Sequence, residues 1–108
     1  MEKVITSHST IQCMHDGNVV PLPDAVSNVL VVDVHSALAG TLETSAVSEC
    51  RQAKDACTAV ATHLTGTSKV LFVDEDPVLL ATAAGTTTPT LINSWKAIDA
   101  RQDVLTAD

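Results

Sequence analysis

The apolar positions of this chain fall into short β-branched runs, each closed by turn-forming residues, a pattern that predicts strands rather than helices. Residues 4–11 (VITSHSTI) alternate loosely between apolar and polar positions. Asp16-Gly17-Asn18 is a turn cluster, and Val19-Val20 follows it. The two prolines of Pro21-Leu22-Pro23 place that stretch at an edge or in an extended loop. Residues 28–33 (NVLVVD) and 69–74 (KVLFVD) are strong strands. Residues 58–63 (TAVATH) are a weaker one, with Gly66 as the turn residue after it. After the acidic turn Asp74-Glu75-Asp76, residues 77–81 (PVLLA) return antiparallel. Residues 46–61 contain helix formers, but only a short turn or loop is predicted there. Residues 86–89, polar and closed by Pro89, read as a linker. Residues 94–105 (SWKAIDARQDVL) are the best helix candidate, with Ser94 as cap and Trp95, Ile98 and Leu105 on one face. The organisation predicted is an all-β domain over residues 1–90 and a helical or extended tail over residues 91–108.

One internal repeat is visible. Val29-Leu30-Val31-Val32-Asp33 aligns with Val70-Leu71-Phe72-Val73-Asp74, and at the same offset Ala37-Leu38-Ala39 aligns with Val78-Leu79-Leu80. Each unit reads as strand, acidic turn and returning strand, with the Asp bonding its own backbone in the turn. Two hairpins of one design predict a pseudo-symmetric β-structure.

Composition narrows the function classes. A formal net charge of −7, with only 6 Lys and Arg, repels phosphate backbones. One Trp, one Phe and no Tyr leave no platform for stacking bases, so nucleic acid is not an expected partner. No apolar run approaches the roughly 18 residues of a membrane span. The stretch MEKVITSHS lacks the apolar core of a secretory signal, so synthesis in the cytoplasm is expected, with any export left to a dedicated machine.

At 108 residues the chain can build only a modest core, so a small cross-link would matter. Its 3 cysteines are an odd number, which suits a metal site better than a set of disulfides. Cys13 and His15 lie two apart on a predicted strand and so share a face. Cys50 and Cys57 flank the polar loop RQAKDA. Together they form a Cys3His set of the kind that closes structural zinc sites, without the usual C-x2-C spacing. The alternatives are a Cys50–Cys57 disulfide with Cys13 buried, or His8 or His63 in place of one ligand. His35 is expected at the surface of the first hairpin turn. No catalytic set is apparent: a Cys–His nucleophile would need an orienting third group, and no phosphate loop or calcium loop is present.

The segments STIQCMHDGNVVP, NVLVVD, ACTAVATHLTG and KVLFVDEDPVLLATAAG, with Cys50 in a polar loop between the second and third, together resemble the PAAR-like proteins. The resemblance covers residues 4–85 and is best at Pro77-Val78-Leu79-Leu80 with the preceding VLFVD. These proteins cap the spikes of contractile injection systems. The resemblance implies a short β-rich cone of pseudo-threefold hairpins, its base on a trimeric β-helical spike protein and its point stapled by one zinc. It implies a non-enzymatic tip that sharpens the spike for membrane puncture, carries effector or toxin cargo, and is delivered outside the cell within an injection particle. Zinc ligands in the better-known branch are mostly His with one Cys, whereas the matching positions here are Cys13, His15, Cys50 and Cys57. The hairpin turns also depart from the family, with Asp33-Val34-His35 and Asp74-Glu75-Asp76 standing where a glycine is usual. The alternative expectation is a small zinc-stabilised β-rich binding module unrelated to injection.

Overall fold

The computed structural model describes residues 2–32, 34–51, 56–73, 75–88 and 93–108, and it bears out the all-β expectation. The strands are β1 (Glu2–Lys3), β2 (Thr10–Cys13), β3 (Asn18–Val20), β4 (Val26–Val32), β5 (His35–Leu38), β6 (Ala46–Ser48), β7 (Ala59–Val60), β8 (Thr65–Val73), β9 (Asp76–Thr88), β10 (Ser94–Asp99) and β11 (Thr106–Ala107). Among the described residues there is no α-helix, only a 3-10 turn at Pro23–Ala25. Strands β10, β2, β3, β6, β7 and β9 pair in that order, and β9 pairs back onto β10 to close a small six-stranded barrel. Strand β8 lies outside it, on β9. The barrel is filled by Ile5, Ile11, Val19, Leu38, Leu42, Val60, Leu79, Ala83 and Trp95.

Residues 94–105 correct the helix prediction. They open with β10, whose Trp95 is 1% exposed and lies opposite Cys13 on one side and Gly85 on the other. Its indole Nε1–H donates to the Thr62 carbonyl at 2.9 Å. Ile98, which a helix would have placed on the same face, is 51% exposed. Helix propensities differ by at most about 0.7 kcal/mol per ordinary residue, which burial of one Trp between two strands outweighs. The boundary expected at residue 90 therefore does not divide the packing, since Trp95, Ala100 and Ala107 all enter the two cores. Thr86, Thr87 and Thr88, expected in a linker, end the long strand β9. Gly66, expected in a turn, lies within β8 at φ 87°. Residues 46–48, expected in a turn or loop, form β6, and the weaker strand expected over residues 58–63 is present as β7.

The two repeat hairpins are equivalent in detail. Val32 pairs with His35 and Val73 with Asp76, and the residues that follow the expected aspartates, Val34 and Glu75, both take positive φ (64° and 75°). Asp33 and Asp74 themselves lie outside the described residues. Pro77 pairs with Phe72 just after its turn, and its carbonyl accepts the Gly40 N–H at 2.7 Å. Further back, Ser27 Oγ accepts the Leu30 N–H at 2.9 Å, and Ser68 Oγ accepts the Leu71 N–H at 2.9 Å.

The returning arms meet around a pseudo-threefold axis. Bridges join Thr6 to Ala37, Ala39 to Val78 and Leu80 to Val4, a cyclic order among residues 4–6, 37–39 and 78–80. Ile5, Leu38 and Leu79 occupy the middle position and are all 0% exposed in the barrel core. Val4, Ala37 and Val78 point the other way, into a second core beneath the hairpins, with Val32 and Leu80. The third hairpin expected from residues 4–20 is built differently: residues 4–6 supply the return, but the strand that pairs with β1 is β11, from the far end of the chain.

Strand β9 runs the length of the molecule. From Pro77 at the hairpin end to Thr87 is about 33 Å at strand rise, against a longest dimension of 38 Å. The hairpins and the far end of β9 thus lie at opposite poles of an elongated β-structure.

Candidate metal centre

Three loops converge where β9 ends. Cys13 is the last residue of β2, and the chain turns at once: Asp16 donates its N–H to the Cys13 carbonyl at 3.1 Å, and Cys13 donates to the Gly17 carbonyl at 2.9 Å. His15 therefore sits in the turn beyond the strand, not on its face as the spacing predicted. Its carbonyl accepts the Arg51 N–H at 3.1 Å, which ties this turn to the segment holding Cys50. Val47 donates to the Thr58 carbonyl at 2.9 Å and Thr58 to the Thr88 carbonyl at 2.9 Å, which sets Cys57 beside both Cys50 and β9.

The result is a cluster of Cys13, His15, Cys50 and Cys57 whose ligand atoms all lie within 4.8 Å of one another. Cys13 and Cys57 are buried, His15 and Cys50 half-buried. His15 Nδ1 is 3.9 Å from Cys57 Sγ, close to the ligand–ligand edge of about 3.6 Å expected for a tetrahedral sulfur–nitrogen zinc site. No disulfide joins the cysteines. The set predicted from composition and spacing is the set the fold brings together.

Each sulfur also has a donor aimed at it. Gly17 N–H reaches Cys13 Sγ at 3.2 Å, Cys57 N–H reaches Cys50 Sγ at 3.3 Å, and Thr87 Oγ1–H reaches Cys57 Sγ at 3.3 Å. Donors to sulfur favour thiolate over thiol, the form that binds metal. Burial acts the other way on Cys57, pushing its pKa up to about 11, with the Thr87 hydroxyl opposing and the neighbouring Cys13 and Cys50 adding to the rise. A bound metal ion would reverse that balance at Cys57 by its own charge. The four groups could hold a metal ion. With four protein ligands the site is closed, which is the arrangement of a structural rather than a catalytic centre.

The other histidines go elsewhere. His63 Nδ1 accepts the Leu42 N–H at 3.1 Å, and its ring stands edge-on to Trp95 at 5.1 Å. Burial holds its pKa below the ordinary value. His8 stacks on His35, ring centroids 4.2 Å apart, so His35 is half-buried rather than a plain surface residue.

Two residues of the site escaped the sequence reading. Gly17 was legible only as a turn residue, yet a Cβ there would come within 2.8 Å of the Cys50 backbone and 3.0 Å of Cys13 Sγ. Thr87 sits in a run of three threonines with nothing to distinguish it; its role follows only from the pairing of β9 with β7. Comparison with protein-family models, with curated proteins and with solved structures gives no match, so the reading of this centre rests on its own geometry.

Proposed function

We propose that this chain is a PAAR-like spike tip: a non-enzymatic cone, stapled at its narrow end by zinc, that caps the trimeric spike of a contractile injection apparatus and sharpens it for membrane puncture. The observation that carries the reading is the polarity of the molecule. A closed Cys3His cluster lies at one pole, and three hairpins arranged cyclically lie at the other. A narrow end has too few residues per layer to bury a core, so a tetrahedral metal replaces the missing packing, and its binding free energy becomes folding free energy. Zinc suits the set because it accepts mixed thiolate and imidazole ligands in a tetrahedron and has no redox chemistry to damage them.

The hairpin pole supports the partner assignment. A single chain with internal pseudo-threefold symmetry can meet three identical subunits with near-equivalent contacts. Exposed apolar side chains gather on the hairpins there, with Val31 56%, Val70 70% and Phe72 51% exposed. Such side chains fit a flat apolar end of a β-helical trimer better than open water.

The deciding experiment mixes the protein with a homotrimeric β-helical spike protein and weighs the complex by native mass spectrometry. One chain per trimer is the expected result. A zinc-loaded protein that ignores the trimer would instead support a zinc-stabilised binding module, and capture of three chains per trimer would exclude a cap on the axis.

A further inference from the structure

We infer that His8 and His35 form a second metal site, an open bis-imidazole clip for a divalent late-transition ion of the nickel and copper class, at the hairpin pole. Their rings lie face to face, with centroids 4.2 Å apart and planes 9° from parallel. His8 is exposed and His35 half-buried, so the pair opens to solvent. Among the described residues neither ring has a hydrogen-bond partner, whereas His63 engages the Leu42 N–H through Nδ1. The pair stands apart from the Cys3His cluster. His35 pairs with Val32 just past the first hairpin turn, the place that Asp76 takes opposite Val73 in the second hairpin.

The backbone fixes both residues before any ion arrives. Thr6 bridges to Ala37, with the Leu38 N–H donating to the Ile5 carbonyl at 3.0 Å and the Ser7 N–H to the Ser36 carbonyl at 2.8 Å. One step further along these antiparallel segments brings His8 opposite His35. The chain then turns, the Ser9 N–H donating to the Thr6 carbonyl at 3.0 Å. Thr6 is 2% exposed and locks this turn from within. Its Oγ1 accepts the His8 N–H at 3.2 Å, and its own N–H donates to Ser9 Oγ at 2.8 Å. The Ser9 hydroxyl donates to the Ala100 carbonyl at 2.7 Å, which anchors the turn to the barrel. Only side-chain rotation is left to the two rings, so little ordering remains to oppose binding.

The chemistry of the pair fits an ion held between them. Two nitrogens at adjacent positions on one ion lie roughly 3 Å apart. A fanning of the stacked rings about their side-chain torsions brings one nitrogen of each to that spacing. Imidazole is a ligand for zinc, copper and nickel, and the divalent series favours copper over nickel and nickel over iron. Two protein ligands leave the remaining positions to water, in contrast to the closed set of Cys13, His15, Cys50 and Cys57. An ion in the clip ties the arm of residues 4–6 to the first hairpin, and so adds stability in proportion to its occupancy.

Nickel(II) is the probe, because it does not oxidise thiols as copper(II) does. Nickel chloride is titrated into the zinc-loaded full chain while the imidazole nitrogens are followed by NMR. The His8 and His35 ring signals should broaden together, with those of His15 and His63 persisting. The melting point should rise about 5 °C at nickel about ten times its dissociation constant. His8→Ala and His35→Ala should each weaken nickel binding at least about 10-fold, since a chelate becomes a single imidazole. Neither residue belongs to the two cores, so both variants should fold and hold their zinc. His8→Gln and His35→Gln, which keep a polar side chain, should lose nickel to the same extent. Wild-type nickel affinity in any of these variants overturns the proposal. So does broadening of one ring alone, which marks a solitary surface histidine, or broadening of His15 first, which marks exchange into the Cys3His cluster. No partner enters these measurements, so the clip stands or falls separately from the spike-tip reading.

Discussion

Thr87 donates its hydroxyl to the sulfur of Cys57 at 3.3 Å, from the last turn of pleat in the strand that reaches back to the hairpins. The Cys3His cluster is thereby coupled to the longest strand of the fold and not only to the loops that carry its side chains. Thr87→Val keeps the shape and removes the donor. Zinc affinity, measured by chelator competition, should fall about 10-fold, in the usual range for loss of a partner that orients a ligand. Cys13→Ser should abolish stoichiometric zinc, seen by elemental analysis, while His35→Ala should leave it intact. Unchanged zinc content in Cys13→Ser would remove that residue from the site.

Gly17 should tolerate no side chain. A Cβ at that position meets the Cys50 Cα at 2.8 Å, and relieving the contact must separate the two loops that deliver Cys13 and Cys50. Gly17→Ala is expected to cost about 1–3 kcal/mol by denaturant unfolding and to weaken metal binding with it. Wild-type stability and affinity in this variant would contradict the geometry of the turn.

Trp95 separates a packed strand from a dispensable tail. Trp95→Ala should cost about 3–5 kcal/mol, enough to unfold much of a domain this size. Trp95→Phe should cost less, chiefly by stranding the Thr62 carbonyl that accepts the indole N–H at 2.9 Å. A chain ending at residue 90 should not melt cooperatively in calorimetry.

His63 should make the protein acid-sensitive. Its folded pKa is held down by burial, against the opposing pull of the Thr65 backbone and the Glu43 carboxylate. In the window below the unfolded value of about 6.5, the unfolded chain therefore binds more protons than the folded one. The stability contributed by neutral His63 is complete above that value and is lost as the pH falls toward the folded pKa. Protonation would also remove the acceptor of the Leu42 N–H. The slope of melting temperature against pH should flatten in His63→Gln over this window, and parallel curves for the two proteins would sink the assignment.

Contacts with a threefold partner should depend on the exposed apolar residues of the hairpin end. Phe72→Asp and Val104→Asp replace side chains that are 51% and 71% exposed, so the melting temperature should barely move. Capture by a β-helical trimer, measured by titration, should weaken at least 10-fold in Phe72→Asp. Full capture would turn the search for the docking face elsewhere.

Much of this architecture was legible in the sequence because strand and turn signals are local. Val29 to Val32 and Val70 to Val73 are β-branched or apolar at every position and stop at aspartate, so their hairpins needed no tertiary information. The metal set was legible for a different reason: only 3 thiols exist, and soft ligands are scarce enough that counting them nearly names the site. What spacing left open was which histidine joins them, and only the turn that brings His15 within 3.9 Å of Cys57, while Leu42 engages His63, decided it. Residues 94–99 carried no local mark of a strand. Their conformation comes from two partners, β2 more than 70 positions away and β9 close by in sequence, which take Trp95 between Cys13 and Gly85. Residues 106–107, strand β11, hid for a topological reason. Their hairpin partner is at the opposite end of the chain, so a reading that looks for a strand, a turn and a returning strand in succession passes over them. Side-chain pattern is written along the chain, but pairing is chosen in space, where burying an apolar face outweighs the distance in sequence.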